Sequence, residues 1–587
     1  MDFHQLIVFV VIALLVISLY KEWVNPALSF FGAVVALLLS GVLDPGEALM
    51  GLANQQVATI FLLMLITAGI RSIFGGGFFL KLFKDNLSPR AFMLRMMAFV
   101  STLSAFLNNT PIVAFMVPYV KDWADRNNHS GSKFLIPLSF ATITGGMITV
   151  IGTSTNLILL GLINEYGQQG LVYSDFVYLG ILVTLFTWAY FYFVGYKLLP
   201  SNPPGIESIK GHIKEYIVET VVFGGSPLVG KSVADAGLRN LKDLFLVEVI
   251  RGDRVISPVA PGEVLEANDY LYFSGNTQSI YKLINEDNGL KIPKEDRMES
   301  RGQFNFTEAV VPANSDLIGM RIKDSDFRNR YNASIVALHR NGKRVPGKVG
   351  GMVLSGGDFL LLLAGENPRA AFGERNLFLI SKSLKVFEKR PWWIGTLGVL
   401  SFATLVLGIT GVVPLFTACL LILLALVVGK VLNLVEIRRH LDLNLLLVLV
   451  CSLAIGVALV KSGAGDSIAH FILSHVQSLG TVPVLATLFL ATTLLTALIT
   501  NAAAVSIMFP VAMSLAQITG IPSTPFFIAI AFAASGDFIT PIGYQTNLMV
   551  YGPGGYSFKD FFKVGLPLTV VYMVTCIGFI AWYYQLT

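Results

Sequence analysis

The sequence predicts a polytopic α-helical membrane protein: an inverted repeat of five spans plus one re-entrant hairpin per half, with two small α+β domains inserted between the halves. Three observations predict it. Of 587 residues, 54% are hydrophobic and 13% charged, which is too apolar for an ordinary soluble chain. Polar interruptions recur in matched pairs inside apolar runs, and a polar stretch from about 199 to 390 divides the chain. The organisation follows as a first transmembrane repeat at 1–198, two tandem cytoplasmic units at 199–295 and 296–390, and a second transmembrane repeat at 391–587.

Apolar runs close to the roughly 20 residues that cross a bilayer lie at 4–20, 26–43, 55–72, 134–160, 174–198, 393–412, 414–430, 443–462, 524–550 and 560–584. Each is expected to cross. The first lacks a basic n-region and a small-residue cleavage site, so it is expected to be a retained helix and not a cleaved leader. Cys419, Cys451 and Cys576 sit inside apolar runs without metal or disulfide spacing and are expected to be small core residues. The seven histidines show no ligand spacing. No nucleophile, metal cluster or phosphate loop is present, which argues against an enzyme.

The loops set an orientation. With the N-terminus outside, Lys21, Lys81, Lys84, Arg90, Lys121, Arg126, Lys133 and Lys197 fall on the cytoplasmic side, as do Lys382, Lys385, Lys389, Arg390, Lys430, Arg438, Arg439, Lys559 and Lys563. The outer loops 44–54 and 161–173 hold no Lys or Arg, and Lys461 is the single outer exception. Both termini are therefore expected outside and the insert inside, in a bacterial inner (plasma) membrane. The net charge of +5 is explained by this asymmetry, and no nucleic-acid partner is expected. The scheme holds only if 90–120 and 484–517 enter and return on one side, which leaves five crossings per half and inverts the second half relative to the first.

The repeat is visible in the letters. Asn109-Thr110-Pro111 followed by an apolar run to Pro118 corresponds to Asn501-Ala502-Ala503 followed by a run to Pro510. Ile151-Gly152-Thr153-Ser154-Thr155-Asn156-Leu157 corresponds to Ile542-Gly543-Tyr544-Gln545-Thr546-Asn547-Leu548, and Gly69 and Gly76 align with Gly456 and Gly463. Such breaks free backbone groups that hydrocarbon tolerates only where they line a cavity or bind something. Half-helix N-termini suit an anion, and unwound carbonyls with Asn and Thr oxygens suit a small cation such as sodium. One such interruption could simply glue packed helices. Four in two-fold register point to anion and cation binding at the midplane. Asp537, whose counterpart is Gly146, is an ion or proton ligand candidate, or else the partner of a backbone N–H.

The run Ser535-Gly536-Asp537-Phe538-Ile539-Thr540-Pro541-Ile542-Gly543-Tyr544-Gln545-Thr546-Asn547-Leu548-Met549-Val550 resembles the sodium:sulfate symporter signature of the divalent anion:sodium symporter (DASS) family at every fixed position. The resemblance implies a sodium-coupled, elevator-type symporter for a divalent oxyanion. It implies substrate contacts from the tips Asn108-Asn109-Thr110 and Thr500-Asn501-Ala502, with Ser154, Gln545 and Thr546. It implies sodium sites from Asn109, Gly152, Thr153 and Asn156, and from Asn501, Thr540, Gly543 and Asn547. Homodimerisation is a further implication. The tips keep the asparagines but not all the flanking hydroxyls, and the first break lacks the paired prolines of dicarboxylate carriers. With no Arg or Lys at the tips, a compact dianion such as sulfate suits helix ends, amides and co-bound sodium. A dicarboxylate symporter, a sodium/proton antiporter using Asp537, and a membrane sensor without transport are the alternatives.

The insert carries its own repeat, with a period of about 89 residues. Ser226-Pro227-Leu228-Val229-Gly230-Lys231, Arg251 and Asp269-Tyr270-Leu271 return as Ser315-Asp316-Leu317-Ile318-Gly319-Met320, Arg340 and Asp358-Phe359-Leu360. Alternating runs at 246–250 and 334–338 predict strands packed with one or two helices per unit. Both units resemble the TrkA-C (RCK-C) domain, which implies a regulatory or dimer-contact role and, as in some of that family, a cyclic dinucleotide ligand. No G-x-G-x-x-G fingerprint precedes them, so NAD is not expected.

Overall fold

The computed structural model describes residues 2–586 except 22–23, 25, 75–86, 169–170, 172, 203–216, 240, 242–243, 253, 258, 276–288, 292–305, 313–314, 341–342, 346–348, 365–376, 380–391, 434–436, 438–442 and 542. Gly76, Ile542, Lys81, Lys84, Lys382, Lys385, Lys389, Arg390, Arg438, Arg439 and both inner boundaries of the second unit, 296 and 390, lie outside the described residues.

The first half runs through α1 (Phe3–Tyr20), α2 (Pro26–Leu39), α3 (Pro45–Ala53), α4 (Gln55–Phe74), α5 (Pro89–Ser104), α6 (Asn109–Arg126), α7 (Ser132–Gly146), α8 (Ser154–Glu165) and α9 (Tyr173–Tyr190). A single π turn, Phe191–Gly195, extends α9 to Leu198. Local chemistry sets several starts. Asp44 accepts from the Glu47 amide and Glu47 from the Asp44 amide, both at 2.8 Å, with Pro45 at the first helical position. The run expected at 134–160 is indeed broken, at 147–153 between α7 and α8.

Two five-stranded antiparallel sheets follow. The first contains β1 (Ile217–Val222), β2 (Leu244–Arg251), β3 (Arg254–Ile256), β4 (Tyr270–Gly275) and β5 (Leu290–Lys291), in the order β3-β2-β4-β1-β5. The second contains β6 (Phe306–Val310), β7 (Ala333–Arg340), β8 (Lys343–Arg344), β9 (Phe359–Ala364) and β10 (Phe378–Leu379), with the short helix α10 (Phe327–Tyr331) before β7. Its order, β10-β6-β9-β7-β8, is the same topology read from the other edge. The correspondence reaches single bonds. Arg251 pairs with Asp269 (Nε to Oδ1, 2.9 Å) and bonds the Val264 carbonyl, while Arg340 pairs with Asp358 (2.7 Å) and bonds the Val353 carbonyl. Register shifts fall at Leu246/Glu248 and again at Ile335/Ala337. Each arginine thus staples a turn to a strand end, and the 89-residue period has a structural cause. Among the described residues these units contain α10 and single 3-10 turns beside the strands, whose inner faces are buried in one apolar cluster per unit.

The second half runs through α11 (Trp392–Ile409), α12 (Leu415–Val428), α13 (Leu443–Lys461), α14 (Ala464–Val476), α15 (Thr481–Thr496), α16 (Asn501–Thr519), α17 (Ser523–Ser535), α18 (Gln545–Tyr551) and α19 (Phe558–Tyr583). The run expected at 524–550 is likewise broken, over the described residues 536–541 and 543–544. Among the described residues Ser174–Leu198, Asn501–Thr519 and Phe558–Tyr583 are each long and apolar enough to cross a membrane, and two bent pairs, Pro45–Thr67 (41°) and Leu446–Leu479 (67°), pass jointly. Other apolar helices are shorter than a full crossing. Asn501–Thr519 passes on length although it lies in a segment expected to turn back, since length and composition do not distinguish a returning arm from a crossing.

One apolar core joins the helices of both halves. The first hairpin, α5 and α6, is fixed to α7 by three buried rings. Phe92 stacks on Trp123 at 3.6 Å and 2°, and Phe134 meets both edge-on at 5.2 and 5.6 Å. Trp123→Ala should therefore destabilise the protein by about 3–5 kcal/mol, the range for deleting a large buried ring. Thermal unfolding of purified protein in detergent checks this. Trp123→Phe, which keeps an aromatic ring at that position, should recover most of the loss.

Candidate functional site

Each hairpin ends in a short non-helical tip, at 105–108 and 497–500, followed by a helix whose first residue is asparagine. The same hydrogen bonds hold the two asparagines. The Ser104 hydroxyl contacts Asn109 Oδ1 and donates to the Thr142 carbonyl at 2.7 Å. The Thr496 hydroxyl lies 2.8 Å from both Asn501 Oδ1 and the Ala534 carbonyl. In each half, then, the last hydroxyl of the first arm ties the asparagine to the helix that leads into the break.

The breaks are closed in matching ways. The Gly152 amide donates to the Thr149 hydroxyl and the Gly543 amide to the Thr540 hydroxyl, both at 3.2 Å. Asn156 Nδ2 reaches back to the Thr149 carbonyl at 3.3 Å, and Asn547 Nδ2 to the Thr540 carbonyl at 3.1 Å and the Asp537 carbonyl at 2.9 Å. These side chains replace bonds a continuous helix would have made. Glycine is required by close approach: a Cβ at position 152 would stand 2.6 Å from the Ser104 carbonyl, and one at 543 would stand 3.1 Å from the Thr496 carbonyl. Break and tip are in direct contact in both halves.

The halves also meet. Asn109 Nδ2 donates to the Tyr544 hydroxyl at 2.6 Å, and Thr110 Oγ1 to Gln545 Oε1 at 3.0 Å. Ser139 of α7 lies 2.8 Å from Thr546 Oγ1 and 2.7 Å from Asn547 Oδ1. The first tip therefore meets the second break through Tyr544 and Gln545, while α7 meets it through Thr546 and Asn547. The second tip behaves differently. Helices α16 and α8 pack together, but among the described residues no side-chain hydrogen bond joins Thr500, Asn501 or Ala502 to the break at 147–153. Thr500 instead caps its own helix, accepting from the Ala503 amide at 3.3 Å. Asn108 is exposed at the start of α6, Thr153 is buried beside Thr155, and Ser154 opens α8.

Asp537 is 2% exposed. Its Oδ2 lies 3.4 Å from the Thr540 hydroxyl and packs against Gly543. It holds the position that Gly146 has in the first half, where the neighbour is the Asn109 amide. Several residues of the site escaped the sequence reading. Tyr544 is one, since an aromatic inside an apolar run has an ordinary core explanation. Ser104, Thr496 and Ser139 are others, being single hydroxyls in helices. Ser535 is buried with its hydroxyl unpartnered among the described residues, immediately before the second break, and its place in the signature was the available signal.

The insert touches this assembly. Lys121 of α6 pairs with Glu308 of β6 at 2.7 Å, and Glu308 is 1% exposed. Phe359 of β9 lies against Gly552 at the end of α18, and Gly357 against Leu548 within it. A separate pair, Lys461 with Glu47 at 2.8 Å, joins the one exceptional basic residue to α3.

Comparison with known proteins agrees with a transport role. The chain matches the family described as citrate transporter, CitMHS, over residues 8–364 and 405–586. A putative sulfur deprivation response regulator of Chlamydomonas reinhardtii is 33% identical, over 96% of this chain and 99% of that protein. An uncharacterized transporter of Synechocystis is 31% identical, over 97% of this chain and 95% of its own length. A probable sodium/sulfate cotransporter of Chlamydomonas reinhardtii is 23% identical, over 96% of this chain and 86% of that one. The family and the two relatives named as transporters indicate a transporter and not an enzyme. The chain belongs to the citrate transporter (CitMHS) family of membrane transporters.

Proposed function

We propose that this protein is a sodium-coupled symporter for sulfate or a related divalent oxyanion, working by elevator-type alternating access. The observation that carries the proposal is the duplicated placement of Asn109 and Asn501, each held by a hydroxyl, Ser104 or Thr496, that also bonds the helix leading into a break. Amides and hydroxyls converge there without an Arg or Lys among the tip residues, so an anion held there draws on helix N-termini, amides and a co-bound cation. The unpartnered Ser535 hydroxyl and the Asp537 carboxylate add oxygen donors near the second break, which suits sodium. The names of the sodium/sulfate cotransporters among the relatives point the same way. On this reading Asn109, Gly152, Thr153 and Asn156 form one cation site and Asn501, Thr540, Gly543 and Asn547 the other. The two tips, with Ser154, Gln545 and Thr546, hold the anion.

The wider reading has the two halves as inverted repeats of a DASS-related carrier, with both termini outside a bacterial inner membrane. It has the sheet units as TrkA-C-like domains at 199–295 and 296–390 on the cytoplasmic face, and the chain as a homodimer. The family description supports a second substrate, a carboxylate such as citrate. Uptake into proteoliposomes separates the two. Labelled sulfate should enter under an inward sodium gradient and not under potassium or proton gradients. Sodium-driven uptake of citrate or succinate without sulfate would decide for the carboxylate. Asn109→Ala and Asn501→Ala should each reduce uptake at least about 100-fold at unchanged expression, since each removes contacts to both anion and cation. Retained uptake by both variants would overturn the site.

Regulation is proposed to pass through the insert's contacts with α6 and α18. Glu308→Gln keeps the shape of the side chain but discharges the partner of Lys121. It should change maximal uptake rate about threefold or more while leaving the apparent affinity for the anion within about twofold, because the pair lies away from the tips. Equal changes in both would place Glu308 in substrate binding instead.

A further inference from the structure

Tyr544 and Thr153 hold the same place in the two halves: each follows the glycine of its break and immediately precedes the next helix, α18 or α8. Both have extended backbone there, but their side chains differ in reach. The Tyr544 hydroxyl crosses to the first tip and accepts from Asn109 Nδ2 at 2.6 Å, and Gln545 does the same one residue on, accepting from Thr110 Oγ1 at 3.0 Å. Their counterparts, Thr153 and Ser154, carry short side chains, and among the described residues neither forms a side-chain hydrogen bond to the second tip. The link between the halves therefore runs in one direction, and an aromatic ring makes it.

That ring is held along its length. It packs against the apolar core of the bundle, and its hydroxyl end lies between Asn109 and the Thr153 hydroxyl. Asn109 is 1% exposed, with the Ser104 hydroxyl on its Oδ1 and the Tyr544 hydroxyl on its Nδ2, so its amide is oriented from both sides. A phenol ring fixed by packing at one end and by a hydrogen bond at the other does not yield to an incoming group without losing one of them. Any anion held by Asn109, Thr110 and the second break must fit beside it. A tetrahedral oxyanion concentrates its two charges in one small group, whereas a dicarboxylate spreads them along a chain and needs more length.

We propose that Tyr544 is a specificity-determining residue of the anion site: its ring restricts the site to a compact dianion, and its hydroxyl orients the Asn109 amide. The inference rests on the symport reading above and assigns the choice of substrate class to one side chain of that same site. It also gives the asymmetry of the halves a purpose, since Asn501 is tied to Thr496 without a counterpart of Tyr544 among the described residues. The short Thr153 leaves the first break without a comparable obstruction on its side.

The test is sodium-driven uptake of labelled sulfate and of labelled succinate by the full-length protein in proteoliposomes, with kcat/KM measured for each. The unsubstituted protein should favour sulfate. Tyr544→Thr, the residue type of the first half, should move the ratio of the two kcat/KM values toward succinate by about tenfold or more, the scale of steric discrimination in a packed site. Tyr544→Leu should move it the same way and serves if Tyr544→Thr does not fold. Tyr544→Phe keeps the ring and should hold the ratio within about twofold, while the KM for sulfate rises about threefold or more through the lost bond to Asn109. Equal loss of both uptakes in the Thr and Leu variants, with the ratio unmoved, is what a merely structural tyrosine would give, and it overturns the proposal while the symport reading stands. A ratio shifted as far by Tyr544→Phe as by Tyr544→Thr also overturns it, because the ring would then not be the discriminating part. Preference of the unsubstituted protein for succinate would instead sink the sulfate reading itself, and the proposal with it.

Discussion

Two stretches of unwound backbone inside an apolar helix bundle, 147–153 and the described residues of 536–544, set the terms for the rest of the molecule. Each exposes amides and carbonyls where neither lipid nor neighbouring aliphatic side chains can pair with them. The remedy is the same in both halves: a threonine accepts from a glycine amide, and an asparagine one turn into the next helix reaches back to a carbonyl. Because Gly152 and Gly543 carry no side chain, the hairpin ends at Ser104 and Thr496 come into contact with the breaks. The asparagines at 109 and 501 are then placed by the hydroxyls of those same two residues. Tip geometry follows from break geometry.

The duplication is not complete, and the differences are chemical. In the first half the Thr149 hydroxyl is spent on the Ala105 carbonyl of the tip, and in the second the Thr540 hydroxyl lies toward Asp537. Gly146 leaves room for the Asn109 amide, whereas its counterpart Asp537 fills that room with a carboxylate. Asn109 bonds across to Tyr544, and Asn501 has no such bond among the described residues. Two sites built on one plan thus differ in charge and in their link to the other half. On the proposed reading they would hold their cations with unequal strength, and the site beside Asp537 would be the more electronegative.

What was legible in the sequence was whatever interrupts a pattern. Asn156 and Asn547 stood out because amides are rare in apolar runs, and the insert's period stood out because Arg251 and Arg340 recur with Asp269 and Asp358. Both features proved to have structural causes. The helices at 45–53 and 464–476 left no such mark, being short and flanked by longer apolar runs. Tyr544 and Ser139 were hidden because their roles lie in partners some 400 residues away, and nothing local to either residue announces a distant partner. Lys461, an exception to the charge asymmetry by sequence alone, is paired with Glu47, and an isolated lysine cannot reveal that pairing.

The contact between insert and bundle combines two interactions with different physical roles. Glu308 is almost fully buried, and removing a carboxylate and an ammonium from water costs nearly as much as their attraction returns. Such a pair adds little net stability but strongly penalises misregister, since a displaced Glu308 would be buried without its cation. Phe359 against Gly552 and Gly357 against Leu548 supply apolar contact with no such directionality. The apolar patch holds the second sheet to α18, and the ion pair fixes where on α6 it sits. Both attachment points lie on the elements that carry Asn109 and Asn547. A displacement of that sheet by even one side chain's width must therefore be met either by movement of the broken helix or by breaking the pair, and on the proposed reading that constraint is how the insert would act on polar groups buried in the bundle.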